Sequence, residues 1–152
     1  MTEAFTVAAV APRELYELRR RVLRAGRADA VVAHPADDAI GTLHFAGRLG
    51  AQIVVSASFF VAPGPREATH QLRYMATEPA VQGRGFGRRV LVVAETTLAS
   101  VGVRRVWANA RDSALGFYRA CGWSVLEGSE HLSAETQIPH TVILKDLGPA
   151  PS

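Results

Sequence analysis

Apolar and polar positions alternate along Phe5-Thr6-Val7-Ala8-Ala9-Val10, the period of a half-buried strand, and Ala11-Pro12 ends the run. Pro12 suits the first turn of a helix, where its missing N–H is not needed. Leu15, Leu18 and Val22 then recur at helical spacing, and Gly26 falls where a C-terminal cap belongs, so the pattern predicts an amphipathic helix from Pro12 to Ala25. Its polar face carries Arg13, Arg20 and Arg24, and the run Arg19-Arg20-Arg21 reads as a solvated helix face. Residues 27–40 keep no period. Pro35 and the acidic pair Asp37-Asp38 mark a loop placed to border a substrate site.

Two strands follow, Thr42 to Ala46 and Ala51 to Val61, with Gly47-Arg48-Leu49-Gly50 as the hairpin connection. Ala62-Pro63-Gly64-Pro65 breaks the chain, and Leu72 to Thr77 predicts a fourth strand. From Arg88 to Val101 the apolar residues Val90, Leu91, Val93, Ala94 and Leu98 sit at helical spacing, closed by Gly102. Val103 to Ala110 predicts a strand, Ala114 to Cys121 a short helix, and Trp123 to Leu126 and Thr141 to Leu144 two further strands. The order βα, three strands, then αβαββ predicts the α/β (α+β) class, one mixed sheet flanked by helices.

Composition agrees with one domain over residues 1–147 and a frayed tail over 148–152: of 152 residues, 48% are apolar and 20% charged. The single cysteine, Cys121, rules out an internal disulfide and, at the end of a short helix with no triad partners, reads as a packing residue. No leader pattern and no apolar run near the ~18 residues of a membrane span is present, so the expectation is a soluble, cytoplasmic protein. The net charge of +3 is carried almost wholly by arginine, with Lys145 the one lysine. Arginine binds phosphate and carboxylate in bidentate fashion, which suits an anionic ligand. A net charge this small gives no case for nucleic acid. Metal-ligand spacings of the C-x-x-C or H-E-x-x-H kind do not occur, so no metal is expected.

The chemistry concentrates in Met75-Ala76-Thr77-Glu78-Pro79-Ala80-Val81-Gln82-Gly83-Arg84-Gly85-Phe86-Gly87-Arg88, a strand, a turn, three alternating glycines and a long helix. Glycines here let the backbone take positive φ and pass close to a ligand, while the first N–H groups of the helix converge on an anion. Arg84 and Arg88 can add charge-assisted hydrogen bonds to phosphate oxygens. A P-loop is excluded because the G-K-[ST] ending is absent, and a Rossmann fingerprint because the spacing is G-x-G-x-G and the next strand begins Val103-Arg104-Arg105. Taken alone, the three glycines fit a ligand cradle and a plain helix-opening turn equally.

With its neighbours the segment is more specific. Met75-x-Thr77-x-Pro79, Gln82 opening a Q/R-x-x-G-x-G/A pattern, and Phe117-Tyr118-Arg119-Ala120-Cys121-Gly122-Trp123 further on together resemble the acetyl-CoA-binding core of the GNAT acyltransferase superfamily. Trp107-Ala108-Asn109-Ala110-Arg111 with Ile138-Pro139-His140 is similar to an ElaA-like subgroup. The resemblance implies the GNAT acyl-CoA acyltransferase fold, with a mostly antiparallel sheet, and transfer of an acetyl group from acetyl-CoA to the primary amine of a small molecule or peptide in a ternary complex. Homodimers built on the late strands recur in that superfamily.

By that resemblance Met75, Ala76 and Thr77 present main-chain groups to the pantetheine arm and the acyl carbonyl. Gln82, Gly83, Arg84, Gly85, Phe86, Gly87 and Arg88 hold the pyrophosphate. A main-chain N–H near Ala76 stabilises the oxyanion as the amine attacks, and Tyr118 donates a proton to the departing thiolate. Where many members carry an asparagine before that tyrosine, this chain has Arg111, with Asn109 two residues earlier as the alternative cofactor contact. Candidates for the general base are His140, His44, His70 or a carboxylate acting through water; Glu78 reads as a turn residue. Trp107 and Trp123 read as packing residues. The alternative function is a non-catalytic acyl-CoA-binding sensor or partner module.

Overall fold

The computed structural model describes residues 3–24, 26, 31–134 and 136–148, arranged as two compact units. The first comprises residues up to Phe60 together with Arg73–Thr97, and the second Val61–Leu72 together with the residues from Leu98 onward. The residues expected as a helix end and a frayed tail at 25 and 149–152 lie outside the described set.

In the first unit the strands run in the order β1 (Phe5–Ala9), β2 (Leu43–Leu49), β3 (Gln52–Val61), β4 (His70–Thr77), of which β4 contributes its C-terminal half. β1 and β2 pair antiparallel from Phe5↔Leu49 to Ala9↔Phe45, and β2 pairs antiparallel with β3, with His44 opposite Ser58 and Ala46 opposite Ser56. Side chains alternate across the two faces. Phe45, Gly47 and Val55 share one face; His44, Ser56 and Ser58 share the other. On the first face packs α2 (Phe86–Ser100), whose buried Phe86, Val90, Leu91 and Ala94 recur at helical spacing. A Cβ built at Gly47 would lie 2.9 Å from Val90 Cγ2 and 2.5 Å from the Phe5 ring, so the helix approaches the strand where a side chain is missing. On the second face lies α1, a helical run made of a 3₁₀ turn (Pro12–Leu15), an α segment (Tyr16–Leu18) and a π segment (Arg19–Leu23).

The second unit holds the start of β4 beside β5 (Arg105–Arg111), then β8 (Pro139–Asp146) and β6 (Ser124–Val125), with β7 (His131–Leu132) also on β8. The β4–β5 pairing is parallel, through His70↔Val106 and Gln71↔Trp107, and the ladders on β8 are antiparallel. α3 (Leu115–Ala120) follows a 3₁₀ turn over Asp112–Ala114. Trp107 packs on Gly64, where a Cβ would come within 2.4 Å of its ring, and its Nε1–H donates to the Ala62 carbonyl at 2.9 Å. Trp123 is buried against Tyr118 with ring centroids 5.7 Å apart.

The mixed sheet flanked by helices agrees with the sequence pattern, and its mostly antiparallel pairing with what the family resemblance implies. Three local expectations need correction. Gly47 to Leu49 do not form the hairpin loop but stay in β2, with a register shift between Gly47 and Arg48; the turn falls at Gly50, whose φ is 61°. Val93, expected on the apolar face of α2, is exposed, because the buried stripe runs through Val90, Leu91 and Ala94. Arg19, expected on a solvated face, is 1% exposed: one helical turn after Leu15 and next to Leu18, it lies on the buried side of α1. The short β7 carries no apolar period, having both residues exposed, and its pairing to His140 and Pro139 is a tertiary feature. No helix among the described residues is long and apolar enough to cross a membrane.

Candidate functional site

β4 ends in Met75, Ala76 and Thr77, and a 3₁₀ turn over Pro79–Val81 carries the chain back towards α2. The amide of Gln82 donates from Nε2 to the Thr77 carbonyl at 3.2 Å, closing this turn. Gly83 and Gly85 both have φ of +81°, the left-handed region where only glycine is unstrained. A Cβ at either would meet no atom within 4 Å, so nothing packs against the loop at these two positions. The first intrahelical bond of α2 runs from the Arg89 N–H to the Gly85 carbonyl at 3.2 Å. Phe86, Gly87 and Arg88 therefore supply the N–H groups that a helix start leaves for an external acceptor.

Side chains reinforce this positive end. The Arg84 guanidinium lies 4.8 Å from the Phe86 ring centroid, Phe86 stacks on Phe5 at 4.1 Å, and Arg89 covers Phe5 from 4.7 Å. Arg84 and Arg88 are exposed. The loop fits a phosphate group in its main-chain donors and in the arginines beside them.

In the second unit Asn109 and Arg111 stand exposed on β5, with Arg111 opposite His140 in the ladder. Tyr118 is buried on α3, and burial, with a smaller effect from Cys121, raises its phenol well above the ordinary value of 10.0. The phenol is therefore protonated throughout the physiological range, the state a proton donor needs.

The profile of the Acetyltransferase (GNAT) family matches residues 11–123. The chain belongs to this family. It is 30% identical over 123 residues to the N-acetyltransferase YitI of Bacillus subtilis (strain 168), itself an uncharacterized protein, covering 79% of this chain and 83% of the relative. A Lactobacillus plantarum crystal structure described as an N-acetyltransferase aligns with a TM-score of 0.76 at 22% identity, over 95% of this chain and 99% of the other. An aminoglycoside 6'-N-acetyltransferase in complex with coenzyme A aligns with a TM-score of 0.75 at 13% identity, over 97% and 99%. The protein is an acyl-CoA-dependent acyltransferase with the GNAT fold.

Within this GNAT chain the first unit brings the end of β4 and the glycine loop together through the Gln82–Thr77 hydrogen bond. Glu78, read from the sequence as a turn residue, caps the 3₁₀ turn and is bound by the Arg21 guanidinium. The three histidines differ. His70 is part-buried, burial lowers its pKa from 6.5, and Thr69 Oγ1 lies 2.8 Å from its Nδ1. His140 has Nδ1 2.8 Å from the Ile138 carbonyl. His44 is buried, with Ser58 Oγ 2.7 Å from its Nδ1 and the Asp37 carbonyl 2.9 Å from its Nε2.

That network was not legible along the chain. Arg19 donates to both oxygens of Asp37 (Nη1 to Oδ2 3.0 Å, Nη2 to Oδ1 3.2 Å), to Ser58 Oγ at 3.1 Å and to the Val32 carbonyl at 2.9 Å. Its Nη2 lies 3.5 Å from His44 Nδ1, and an arginine only donates, so Nδ1 is the acceptor; Nε2–H then donates to the Asp37 carbonyl at 2.9 Å. Tyr16 donates to Asp37 Oδ2 at 3.1 Å. The Arg19 Nε is buried with no acceptor among the described residues. Two serines at i and i+2 in the otherwise apolar strand Ile53 to Phe60 are the one sequence signal of this polar face.

On that network rests Tyr74, a residue of β4 with φ of +56°. For a non-glycine residue this region costs on the order of 1–2 kcal/mol. Its ring lies 4.0 Å from the Arg19 guanidinium and 6.1 Å from the Phe60 ring, and its carbonyl accepts from Ser56 Oγ at 2.8 Å.

Burial alone would raise the Asp37 carboxyl, but hydrogen bonds from Arg19, the His34 N–H and Tyr16, with the Arg19 charge, outweigh it and hold the pKa below 3.8. A lowered folded value means that the stability is present above pH 3.8 and is lost as pH falls through the folded value. Asp37→Asn should cost about 3–5 kcal/mol at pH 7, since it leaves Arg19 buried without its counter-charge. In urea titrations the wild type should lose more stability than this variant between about pH 5 and pH 2. Parallel curves for the two proteins would remove Asp37 as the titrating group.

Proposed function

We propose that the protein transfers the acetyl group of acetyl-CoA to a primary amine of a small molecule or peptide, by direct attack in a ternary complex. The observation that carries this reading is the loop after β4: two left-handed glycines facing open space at the start of a 15-residue helix, in a chain of the GNAT family. Gly83 to Arg88 would hold the pyrophosphate by main-chain N–H groups and by Arg84 and Arg88, with Gln82 ordering the loop entrance. Met75, Ala76 and Thr77 would bind the pantetheine arm and the acyl oxygen through main-chain groups, and Asn109 on β5 would contribute a further polar contact. Bound acetyl-CoA supplies the activated acyl group.

The chain's own contribution is placement, charge stabilisation and a proton. Holding the thioester and the amine in line removes much of the barrier. Main-chain N–H groups at the end of β4 would stabilise negative charge on the acyl oxygen. Tyr118, kept protonated by burial, would give its proton to the leaving sulfur. One acyltransferase domain over residues 1–147, working in the cytoplasm, completes the reading.

A thiol-release assay tests it, with acetyl-CoA and a panel of polyamines, aminoglycosides and peptide N-termini as acceptors. The expected result is CoA release that depends on the amine and saturates with one class of acceptor. Tight acetyl-CoA binding without release by any amine, and without slow hydrolysis, would instead make the chain an acyl-CoA-binding module.

A further inference from the structure

A peptide unit is planar and trans, so its carbonyl and its N–H point in opposite directions. The unit joining Tyr74 to Met75 follows this rule, since the chain has no cis bond among the described residues. Its carbonyl is held by Ser56, a fully buried residue of β3, through a 2.8 Å hydrogen bond from Oγ. The Met75 N–H of the same unit is therefore aimed away from Ser56. Rotating that plane would leave the Tyr74 carbonyl without this donor and would have to move the Tyr74 backbone out of its left-handed conformation.

The Tyr74 side chain supplies a second restraint. Its ring is fixed against the Arg19 guanidinium, which is itself clamped by Asp37, Ser58 and the Val32 carbonyl. Backbone and ring are thus held by separate groups, one on β3 and one on α1. A strained conformation persists only where its surroundings determine it, and such sites are where donors are preorganised for developing charge.

We propose that Ser56 is a positioning residue: with Arg19 bracing the Tyr74 ring, it locks the Tyr74–Met75 peptide so that the Met75 N–H points at the acyl oxygen of the bound thioester. This rests on the acetyl-transfer reading above. Ser56 touches no substrate in it and acts through the main chain. Met75 is thereby singled out as the acyl-oxygen donor among the residues at the end of β4.

The test compares the wild type with Ser56→Ala, which deletes the hydroxyl, and Ser56→Thr, which retains it. Calorimetry with acetyl-CoA and with CoA separates the acyl contact from the rest of the cofactor. Ser56→Ala should lower kcat by about tenfold and remove most of the preference for acetyl-CoA over CoA, with the Kd for CoA within about twofold of the wild type. Ser56→Thr should restore both. In crystal structures without ligand, the Tyr74–Met75 peptide should be rotated in Ser56→Ala and should keep its wild-type orientation in Ser56→Thr.

An unrotated Tyr74–Met75 peptide in Ser56→Ala, or an equal loss of affinity for CoA and acetyl-CoA, would overturn the positioning role. If the wild type binds neither ligand, the acetyl-transfer reading fails and the acyl contact with it, and the ligand-free structures still decide whether Ser56 sets the peptide. If the wild type binds both ligands and Ser56→Ala behaves identically, this inference alone fails.

Discussion

Gly85→Glu should abolish measurable acetyl-CoA binding. Gly85 has φ of +81°, so any side chain costs on the order of 1–2 kcal/mol in the backbone alone. The new carboxylate would extend into the open space beside the helix start, where the N–H groups and Arg84 favour a negative ligand. A like charge about 4 Å from a phosphate, at an effective dielectric near 20, is unfavourable by about 4 kcal/mol, or roughly a thousandfold in affinity. Gly85→Ala provides the control. Its Cβ meets nothing within 4 Å, so it should lose only the share due to backbone strain, about tenfold. Isothermal calorimetry on both variants, with thermal unfolding to show that each is folded, measures the difference. Equal affinity of Gly85→Glu and wild type would remove the loop from the cofactor site.

Tyr118→Phe is the second large effect. Phenylalanine keeps the ring that packs against Trp123 and Phe117, so thermal stability should change little. Loss of a positioned general acid typically costs 10²–10⁴-fold, and a drop in kcat of about a hundredfold is expected, with the acetyl-CoA Kd within about twofold. Because burial raises the phenol, the wild-type pH–rate profile should show no alkaline limb from Tyr118 below about pH 10. A variant with wild-type kcat would take Tyr118 out of the mechanism. An equal loss in kcat and in acetyl-CoA affinity would make it a packing residue for the cofactor site.

Gly85 and Tyr118 stand out in the chain itself, and the reason is local. Left-handed glycines beside a helix start, and a tyrosine followed by Gly122-Trp123, owe their geometry to neighbours a few positions away. Spacing therefore reports them. The same holds for α2, whose buried stripe is written at helical period, and for β1 and β3. It fails where a segment's structure is set by distant partners. The hairpin was displaced because Gly47 serves the approach of α2, not a turn. The arginine run of α1 reads as a surface because nothing nearby shows that Arg19 has Asp37, Ser58 and Tyr74 waiting for it.

His44 illustrates the cost of that blindness. As a lone histidine in a strand it stood equal to His70 and His140 as a base. The fold occupies both of its nitrogens, through Ser58 on the adjacent strand and the Asp37 main chain.

Period and motif spacing thus determined the order of the longer elements, the fold class and the glycine loop before α2, since each depends on interactions within a few residues; β7 and the place of the β2–β3 turn did not follow from them. The tertiary structure alone decided that Arg19 is buried, that Tyr74 takes a left-handed backbone and that Ser56 holds its carbonyl. Those features depend on side chains that lie far apart in sequence and meet only once the strands are paired, so no local pattern encodes them.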